Sequence, residues 1–272
     1  MRRSSLLLLT LLLVPQVSLA VYTRLPEDHH YAKAWRIMVT GDRIGPGRNL
    51  GQVPETRTPT PLPSDGSPFA DVPENHPNYA AIRYVVEQGM MDLSAGRMFR
   101  PNDMVSRSDF TGIVADRVFT PEFIDGCFEE VSLDDSSLLF PDVTRQGEEA
   151  KRLCAALVAG VVHGYPDKNF RPGKAINFVE AAKIVSRAYE VSFLSHADSG
   201  LEWFKLYVTN LADRAGIPLS IFGFDSSITR AEAAEILYRA DAEITNRPSK
   251  EYNDLMGVVG RFLLTVLDQA GM

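Results

Sequence analysis

The sequence predicts a mainly α fold built from three helix-loop-helix repeats. The first observation behind this prediction is an internal repeat: the segment Phe69 to Val72 recurs 71 positions later as Phe140 to Val143, and the same shift carries Phe99 to Pro101 onto Phe170 to Pro172. The second observation is a set of three helix starts, each followed by apolar residues at helical spacing. Together they predict a helical body whose core is built by those apolar faces.

The second helix of each repeat is the clearest element. Each begins at a residue type that caps helices and has an acid three positions later. These pairs are Ser106 with Asp109, Asn177 with Glu180, and Thr229 with Glu232. Positions four, seven and eight after the cap are apolar, which predicts one buried stripe on each helix. The stripe residues are Phe110, Ile113 and Val114, then Ala181, Ile184 and Val185, then Ala233, Ile236 and Leu237.

The first helix of each repeat is predicted from apolar residues at the same period. In the first two repeats these residues are Tyr79, Ile82 and Val86, matched by Ala150, Leu153 and Leu157. The third repeat has Phe204, Tyr207, Val208 and Leu211, whose register slips by about one residue, and its central loop is four residues shorter and lacks Arg-Pro. A helix is therefore predicted there without a fixed alignment to the other two.

The residues before Phe69 lie outside the repeats. A short basic stretch precedes an apolar run from Leu6 to Val14, and small residues follow at Ser18 to Ala20, so residues 1–20 are predicted to be a cleaved signal peptide. An uncleaved anchor is the alternative, although a membrane span needs about 20 apolar residues. Residues 21–68 are interpreted as an N-terminal segment and a stiff Pro-rich linker.

Composition and charge limit the possible functions. The chain of 272 residues is 45% hydrophobic and 23% charged, which is typical of a globular protein. Its formal net charge is −7, and loss of two arginines with the signal peptide makes it −9, which argues against nonspecific binding of nucleic acid. Export permits a disulfide bond, and the sequence leaves open whether Cys127 and Cys154 form one.

The ordered motifs resemble the S-layer homology domain, a triple-repeat module that attaches exported proteins to bacterial cell-wall glycans. The consensus of that family runs roughly FxDVPxxHWAxxAI, then GYPDGTFRP, then ITRAE. This chain reads FADVPENHPNYAAI from Phe69, GYPDKNFRP from Gly164 and ITRAEAAEIL from Ile228, and the resemblance covers about Phe69 to Ile244. It implies three repeats about a pseudo-threefold axis, with grooves between neighbouring repeats that receive a secondary cell-wall polysaccharide, often one that ends in a pyruvylated sugar.

The repeats and the flanking segments give a predicted domain organisation. It consists of a signal peptide at 1–20, an N-terminal segment and linker at 21–68, a first repeat at 69–119, an acidic insertion at 120–139, a second repeat at 140–191, a third repeat at 196–244 and a C-terminal helix at 248–272.

The chemistry of a pyruvylated glycan selects the candidate site residues. A carboxylate favours a guanidinium group and the positive end of a helix, whose effect is worth about 0.3 to 1 kcal/mol. Sugar hydroxyls favour carboxylates, and sugar faces favour aromatic rings. The predicted glycan-binding residues are Arg107 and Arg230 at the starts of capped helices, Trp203 and Tyr165 as stacking platforms, Asp71, Asp142, Asp198 and Asp167 as hydroxyl acceptors, and Arg171.

Structural roles stay open for several of these residues. Asp71, Asp142 and Asp198 each open a repeat and could cap a turn by accepting bonds from backbone N–H groups. Arg171 could be a spacer or an ion-pair partner, and Trp203 could fill the core at the start of its helix.

The chain also departs from the family pattern. Phe178 stands where the second repeat should carry its arginine, Pro77 replaces the consensus tryptophan, and Lys168 replaces a loop glycine. The central loop of the first repeat keeps only the end of the GYPDGTFRP pattern. The sequence therefore predicts at most two competent grooves, with a single groove as the alternative.

Two segments lie outside the repeat pattern. The acidic insertion at 120–139 lacks the alternating ligands and the glycine of a calcium loop, so it is predicted to be a solvated loop. After Pro248, apolar residues from Leu255 to Leu267 predict an amphipathic helix, which Arg261 and two glycines make unsuitable for spanning a membrane. The helix is expected to pack on the bundle, with self-association or partner binding as the alternative.

The sequence predicts a noncatalytic protein exported to the cell surface, cell wall or envelope. It contains no GxSxG elbow and no HExxH motif, and its repeated carboxylates lack the asymmetry of a glycosidase pair. No cofactor or metal site is predicted, since His29 and His30 lack a spaced ligand cluster. The expected partner is a cell-wall polysaccharide or a peptidoglycan-linked glycan. The rival hypotheses are a wall-active hydrolase and an assembly module that does not bind glycan.

Overall fold

The computed structural model describes residues 67–129, 140–144, 146–189 and 203–257. These residues form a mainly α fold, as predicted. Their helices are α1 (Tyr79–Glu87), α2 (Arg107–Val118), α3 (Pro121–Glu129), α4 (Gly147–Val158), α5 (Phe178–Tyr189), α6 (Lys205–Asp213), α7 (Arg230–Asp241) and α8 (Tyr252–Leu255). None of these helices is long and apolar enough to cross a membrane. The predicted signal peptide, the linker up to residue 66, Asp198 and the C-terminal stripe after Gly257 lie outside the described residues.

The predicted caps are confirmed on α2, α5 and α7. In each case the side chain of the capping residue accepts a bond from the N–H of the acid three positions later, at 3.0 Å for Ser106, 2.9 Å for Asn177 and 3.2 Å for Thr229. At Asn177 and Thr229 the acid also accepts the N–H of the capping residue, which completes the capping box. These bonds fix where the three helices begin.

The apolar stripes of α2, α5 and α7 form the centre of the core. Eight of the nine predicted stripe residues are buried, and the exception is Ile113, which is half-buried on α2. In the last helix pair, Tyr207, Val208 and Leu211 are buried on α6, so the helix predicted there is confirmed and begins at Lys205.

A closed ring of backbone hydrogen bonds joins the segments that enter α2, α5 and α7. The N–H of Val105 donates to the carbonyl of Ile228 at 3.2 Å, Ile228 donates to Ile176 at 3.0 Å, and Ile176 donates to Val105 at 2.9 Å. All three residues are buried and directly precede the capping residues. The three helices therefore start around one point with approximate threefold geometry.

Each of these helices also docks onto the loop of another helix pair. The loops are the first loop (residues 88–106), the second loop (159–177) and the third loop (214–229). The start of α2 meets the second loop, the start of α5 meets the third loop, and the start of α7 meets the first loop. We name these contacts the Arg107 junction, the Phe178 junction and the Arg230 junction after the first residue of each helix.

The first part of the acidic insertion is a helix, so the prediction of a solvated loop is wrong for residues 121–129. Phe123 and Ile124 are buried against the core, and a disulfide bond joins Cys127 of α3 to Cys154 of α4. The sequence signal for this helix is Thr120 followed by proline, and the Thr120 hydroxyl accepts the N–H of Phe123 at 3.3 Å. Residues 130–139 lie outside the described ranges.

Candidate functional site

Arg230 connects α7 to the first loop. Its Nε donates to the carbonyl of Phe99 at 2.7 Å, and an Nη donates to the carbonyl of Asp92 at 2.9 Å. The guanidinium carbon lies 4.7 Å from the centroid of the Phe99 ring. Burial lowers the pKa of Arg230 from its ordinary value, although the nearby carboxylates of Asp103, Asp109 and Asp92 oppose this effect. The guanidinium group is thus held in a partly desolvated place, where its interaction with an anion is strengthened.

Arg107 makes two of these three contacts at the second loop, and its Nε makes none. It donates to the carbonyl of His163 at 3.0 Å, and its guanidinium carbon lies 4.7 Å from the centroid of the Phe170 ring. The side chain is only 8% exposed and lies 3.7 Å from the Glu180 carboxylate. Its Nε is buried and has no hydrogen-bond acceptor among the described residues. Both predicted arginines therefore hold a neighbouring loop, a role that their sequence positions did not reveal.

The N–H groups at the starts of these helices are already bonded. Arg107 and Ser108 donate to Lys174 and Pro172 at 2.8 and 3.0 Å, and Arg230 and Ala231 donate to Asp103 and Pro101 at the same two distances. The third N–H of each helix is taken by the capping side chain. The first three N–H groups of each helix are therefore already satisfied at both junctions, two by the neighbouring loop and one by the cap.

Asp71 and Asp142 hold the turns of the first and second loops. The two oxygens of Asp71 accept the N–H groups of Phe99 and Arg100 at 2.8 and 2.6 Å, and Asp142 accepts those of Phe170 and Arg171 at the same distances. Arg100 and Arg171 have left-handed backbones, with φ of 58° and 60°. The turn-capping alternative thus describes what both carboxylates do, and glycan binding by them stays a prediction.

Tyr165, Asp167 and Arg171 lie together in the second loop. The Asp167 carboxylate accepts a bond from Arg171 at 2.9 Å, and this bond with the arginine holds the pKa of Asp167 below its ordinary value. The Tyr165 hydroxyl donates to the carboxylate of Glu180, while the guanidinium carbons of Arg107 and Arg171 lie 5.0 and 4.2 Å from the tyrosine ring centroid. The ring expected to stack on a sugar is therefore already in contact with two guanidinium groups.

Glu180 is at the centre of this cluster. Burial by itself would raise its pKa, but the bond from Tyr165 and the charge of Arg107 hold the pKa below its ordinary value. The ammonium group of Lys174 also donates to Glu180 at 3.2 Å and to the Tyr165 hydroxyl at 3.0 Å. The acid predicted to be a helix cap is therefore a hub of charged contacts as well.

Trp203 contacts neither Arg107 nor Arg230. It is half-buried at the entrance to α6, with its ring centroid 5.8 Å from that of Phe204 and 5.2 Å from the ammonium group of Lys183. The structure therefore brings Tyr165, Asp167 and Arg171 together with Arg107, but it does not bring Trp203 to either arginine.

The Arg230 junction opens into a cleft of about 740 Å³, which we name the Arg230 cleft. Its walls come from the first loop, one side of α2 as far as Asp116, part of α4, the second loop and Arg230 of α7. The charged and hydroxyl side chains that line it include Arg230, Ser94, Asp92, Asp109, Asp116, Glu149 and Arg152. Half-buried Ile113 also lines the cleft, which explains why this stripe residue is not fully covered.

Most carboxylates of the Arg230 cleft have a partner within it. Arg152 donates to Asp116 at 2.6 Å, the hydroxyl of Ser108 donates to Glu149 at 2.5 Å, and that of Ser106 donates to Asp109 at 2.7 Å. The cleft has four carboxylates and two guanidinium groups, so its formal charge is negative. It can accept many hydroxyl hydrogen bonds and can hold one anionic group beside Arg230, while the other carboxylates would repel a polyanion.

Sequence reasoning missed several residues of this cleft. Ser94, Asp116, Glu149 and Arg152 were not predicted, because they come from three different segments that only the fold brings together. One signal was present for Ser94, since the 71-residue shift places it opposite Tyr165.

Several known proteins are similar to this chain in sequence. The relatives include the Cellulosome-anchoring protein of Acetivibrio thermocellus, 28% identical over 123 residues, which are 45% of this chain and 26% of that protein. The S-layer protein sap of Bacillus anthracis is 24% identical over 202 residues, 70% of this chain and 23% of that protein. Exoglucanase XynX of Acetivibrio thermocellus is 29% identical over 174 residues, but they make up only 14% of it. The chain thus spans about a quarter or less of the length of these relatives.

The family comparison concerns two segments of the chain. The family model of the S-layer homology domain matches residues 68–111 and 139–182. The first segment contains Asp71, Arg107 and the Arg230 cleft residues of the first loop, and the second contains Asp142, Tyr165 and Glu180. These two segments, which cover the first helix and the start of the second helix in each of the first two pairs, are similar to S-layer homology domain repeats.

Proposed function

We propose that this chain is a noncatalytic anchor that binds an anionic secondary cell-wall polysaccharide in the Arg230 cleft. The chain is an exported protein of the cell surface, as the family match and the relatives indicate. The residues around α6 and α7, 196–244 in the sequence, form a third repeat of the same kind. The closed ring of Val105, Ile176 and Ile228 supports this assignment, because the three positions are equivalent in it.

The observation that carries the proposal is the open cleft beside a fixed arginine. Arg230 is held by two carbonyls, and its remaining Nη has no acceptor among the described residues. A single carboxylate, such as that of a pyruvylated terminal sugar, fits beside this guanidinium group. The carboxylates of Asp92 and Glu149 line the same cleft and suit sugar hydroxyls.

The test is cosedimentation of the chain with native cell-wall sacculi and with sacculi stripped of their secondary polysaccharide. Binding to native sacculi alone supports the proposal. Equal binding to both would make peptidoglycan the ligand, and turnover of purified peptidoglycan would make the protein a hydrolase. A failure to bind either preparation would leave assembly as the function.

Self-association is a second candidate, because the third loop exposes large apolar side chains. Phe222 is 85% exposed and Leu219 is 57% exposed. Such side chains are costly to leave in water and are enriched where proteins meet. Sedimentation velocity of the chain and of Phe222→Ser would test this: a dimer or larger species lost in the variant supports assembly, and a monomer in both excludes it.

A further inference from the structure

The Arg107 and Arg230 junctions are built from equivalent backbone positions of the first and second loops. The shift of 71 residues maps Asp92 onto His163, and these are the residues whose carbonyls accept the bonds from Arg230 and Arg107. The same shift maps Ser94 onto Tyr165. Their N–H groups are bonded alike, since that of Ser94 donates to the carbonyl of Met98 at 2.8 Å and that of Tyr165 donates to the carbonyl of Asn169 at 2.9 Å. Ser94 and Tyr165 therefore occupy equivalent places on equivalent loops.

The side chains at these two positions differ in whether they fill the space beside the arginine. Tyr165 reaches from the second loop to α5, where its hydroxyl bonds Glu180 and accepts a bond from Lys174. At the first loop, the counterpart of Glu180 is Asp109, which is bonded to Ser106 and not to Ser94, and both Ser94 and Asp109 line the open cleft. The phenol of Tyr165 thus fills, at the Arg107 junction, the space that corresponds to the open Arg230 cleft.

Binding of a glycan at the Arg107 junction would cost free energy, because existing bonds would have to break. A sugar hydroxyl could reach Glu180 only after the bonds of Tyr165 and Lys174 to that carboxylate were broken, and bonds to charged groups are worth about 1.5 to 3 kcal/mol each. Displacement of the ring would also remove its contacts with the guanidinium groups of Arg107 and Arg171.

The Phe178 junction has a different chemistry. Phe178 replaces the arginine there, and its side chain is fully buried. The N–H groups of Phe178 and Val179 donate to Ser226 and Phe224 of the third loop at 2.9 and 3.2 Å, so the junction has the same backbone contacts without a guanidinium group. Phe178 cannot pair with a carboxylate, and the ammonium group of Lys250, which reaches the third loop, already donates to the carbonyl of Ile221.

We propose that the chain has a single glycan site and that the Ser94 and Tyr165 pair determines where it is: Ser94 opens the Arg230 cleft, and Tyr165 closes the Arg107 junction. This inference rests on the proposed function. It places the site at the loop that departs most from the family pattern, rather than at the loop that reads GYPDKNFRP.

The experiment exchanges the two residues. The polysaccharide fraction released from native sacculi is titrated by calorimetry into the wild type, Ser94→Tyr and Tyr165→Ser, and each variant is checked by circular dichroism and thermal melting. The wild type should bind at one site, Ser94→Tyr should lose at least tenfold in affinity, and Tyr165→Ser should gain a second site. If Tyr165→Ser does not fold, the affinity of Ser94→Tyr tests the inference by itself. This variant should fold, because the equivalent backbone position in the second loop already carries Tyr165.

The control replaces a neighbouring residue that does not line the cleft by its counterpart in the second loop. Met98 and Asn169 are also related by the shift of 71 residues, and Met98→Asn should bind like the wild type. Wild-type affinity in Ser94→Tyr together with loss of binding in Tyr165→Ser would overturn the inference and make Tyr165 the sugar platform. A wild type that binds neither native sacculi nor the released fraction would overturn the anchoring function itself, and the inference with it.

Discussion

Arg117 and Asp241 form a buried bidentate ion pair between α2 and α7. Nε and an Nη of the arginine each donate to a different carboxylate oxygen at 2.8 Å, and the Asp241 side chain is completely buried. The hydroxyls of Tyr84 and Tyr189 donate to the same carboxylate at 2.6 and 3.2 Å. One aspartate therefore joins α1, α2, α5 and α7 near the last turns of the three capped helices.

Replacement of Asp241 by asparagine should strongly destabilise the fold. The Arg117 charge would stay buried without its counterion, and breaking a buried pair in this way costs about 3 to 5 kcal/mol. Urea unfolding followed by circular dichroism measures the loss. The control is Asp213→Asn on the exposed surface of α6, which should change the free energy of unfolding by less than about 0.5 kcal/mol. Equal effects of the two variants would show that the Asp241 pair contributes little.

The same cluster predicts a loss of stability in alkali. Burial, together with the bond to Asp241, raises the pKa of Tyr84 well above its ordinary value, and burial does the same for Tyr189. The folded chain therefore holds these protons more tightly than the unfolded chain. Their contribution to stability is complete below about pH 10 and is lost as the pH rises through the folded-state pKa.

Melting temperatures between pH 8 and pH 11 measure this dependence. Tyr84→Phe should be less stable at neutral pH, because it lacks the bond to Asp241, yet it should lose less further stability above pH 10. Parallel profiles for the wild type and the variant would contradict the role given to Tyr84.

Asp71 and Asp142 should contribute stability through the loop turns that they hold. Asp71→Ala or Asp142→Ala leaves two backbone N–H groups without their charged acceptor, which should cost about 1 to 3 kcal/mol. Arg100→Gly alone should raise the free energy of unfolding by up to about 1 kcal/mol, because glycine adopts the left-handed backbone of this position without strain. Denaturant unfolding checks both effects. If Asp71→Ala kept full stability but lost glycan binding, the carboxylate would be a ligand group and not a turn cap.

The disulfide bond between α3 and α4 should stabilise the insertion. The cysteines are 27 residues apart, and closing a loop of that length is worth about 3.5 kcal/mol in the chain-entropy account. Dithiothreitol should lower the denaturation midpoint of the wild type and leave the Cys127→Ser, Cys154→Ala double variant unchanged. A wild type insensitive to the reductant under unfolding conditions would contradict this role.

Arg230→Gln should weaken glycan binding by about tenfold or more, since a charged hydrogen bond is worth about 1.5 to 3 kcal/mol. The variant should also melt at a lower temperature, because Arg230 bonds two carbonyls of the first loop. Cosedimentation with native sacculi at a temperature where the variant is folded separates the two effects.

The matched control for Arg230 is Arg83→Gln. Arg83 is an exposed residue of α1 that pairs with Glu87 and does not line the cleft, so its replacement removes the same charge from outside the cleft. It should bind glycan like the wild type. An equal loss of binding in both variants would mean that net charge, and not the Arg230 cleft, governs the interaction.

The sequence predicted features that depend on local chemistry. Ser106, Asn177 and Thr229 were identifiable as caps because a cap and its acid lie within one helical turn. The buried stripes followed from the helical period for the same reason.

The remaining features depend on contacts between distant segments. Asp241 pairs with Arg117, which is 124 positions away in the sequence. Tyr165 bonds Glu180, whereas its counterpart Ser94 lines the open cleft, and only the fold shows this difference. The helix at 121–129 was missed because the acidic composition of the insertion concealed two apolar residues, Phe123 and Ile124, that pack on the core.

The ring formed by Val105, Ile176 and Ile228 limits how this architecture can change. A linear solenoid can gain or lose a terminal member at the expense of one interface, and its members can unfold in turn. In the ring every helix pair borders both others, so deletion of any one breaks two interfaces and leaves buried backbone groups without partners. The three pairs should therefore melt in a single cooperative transition, and the number three is fixed by closure.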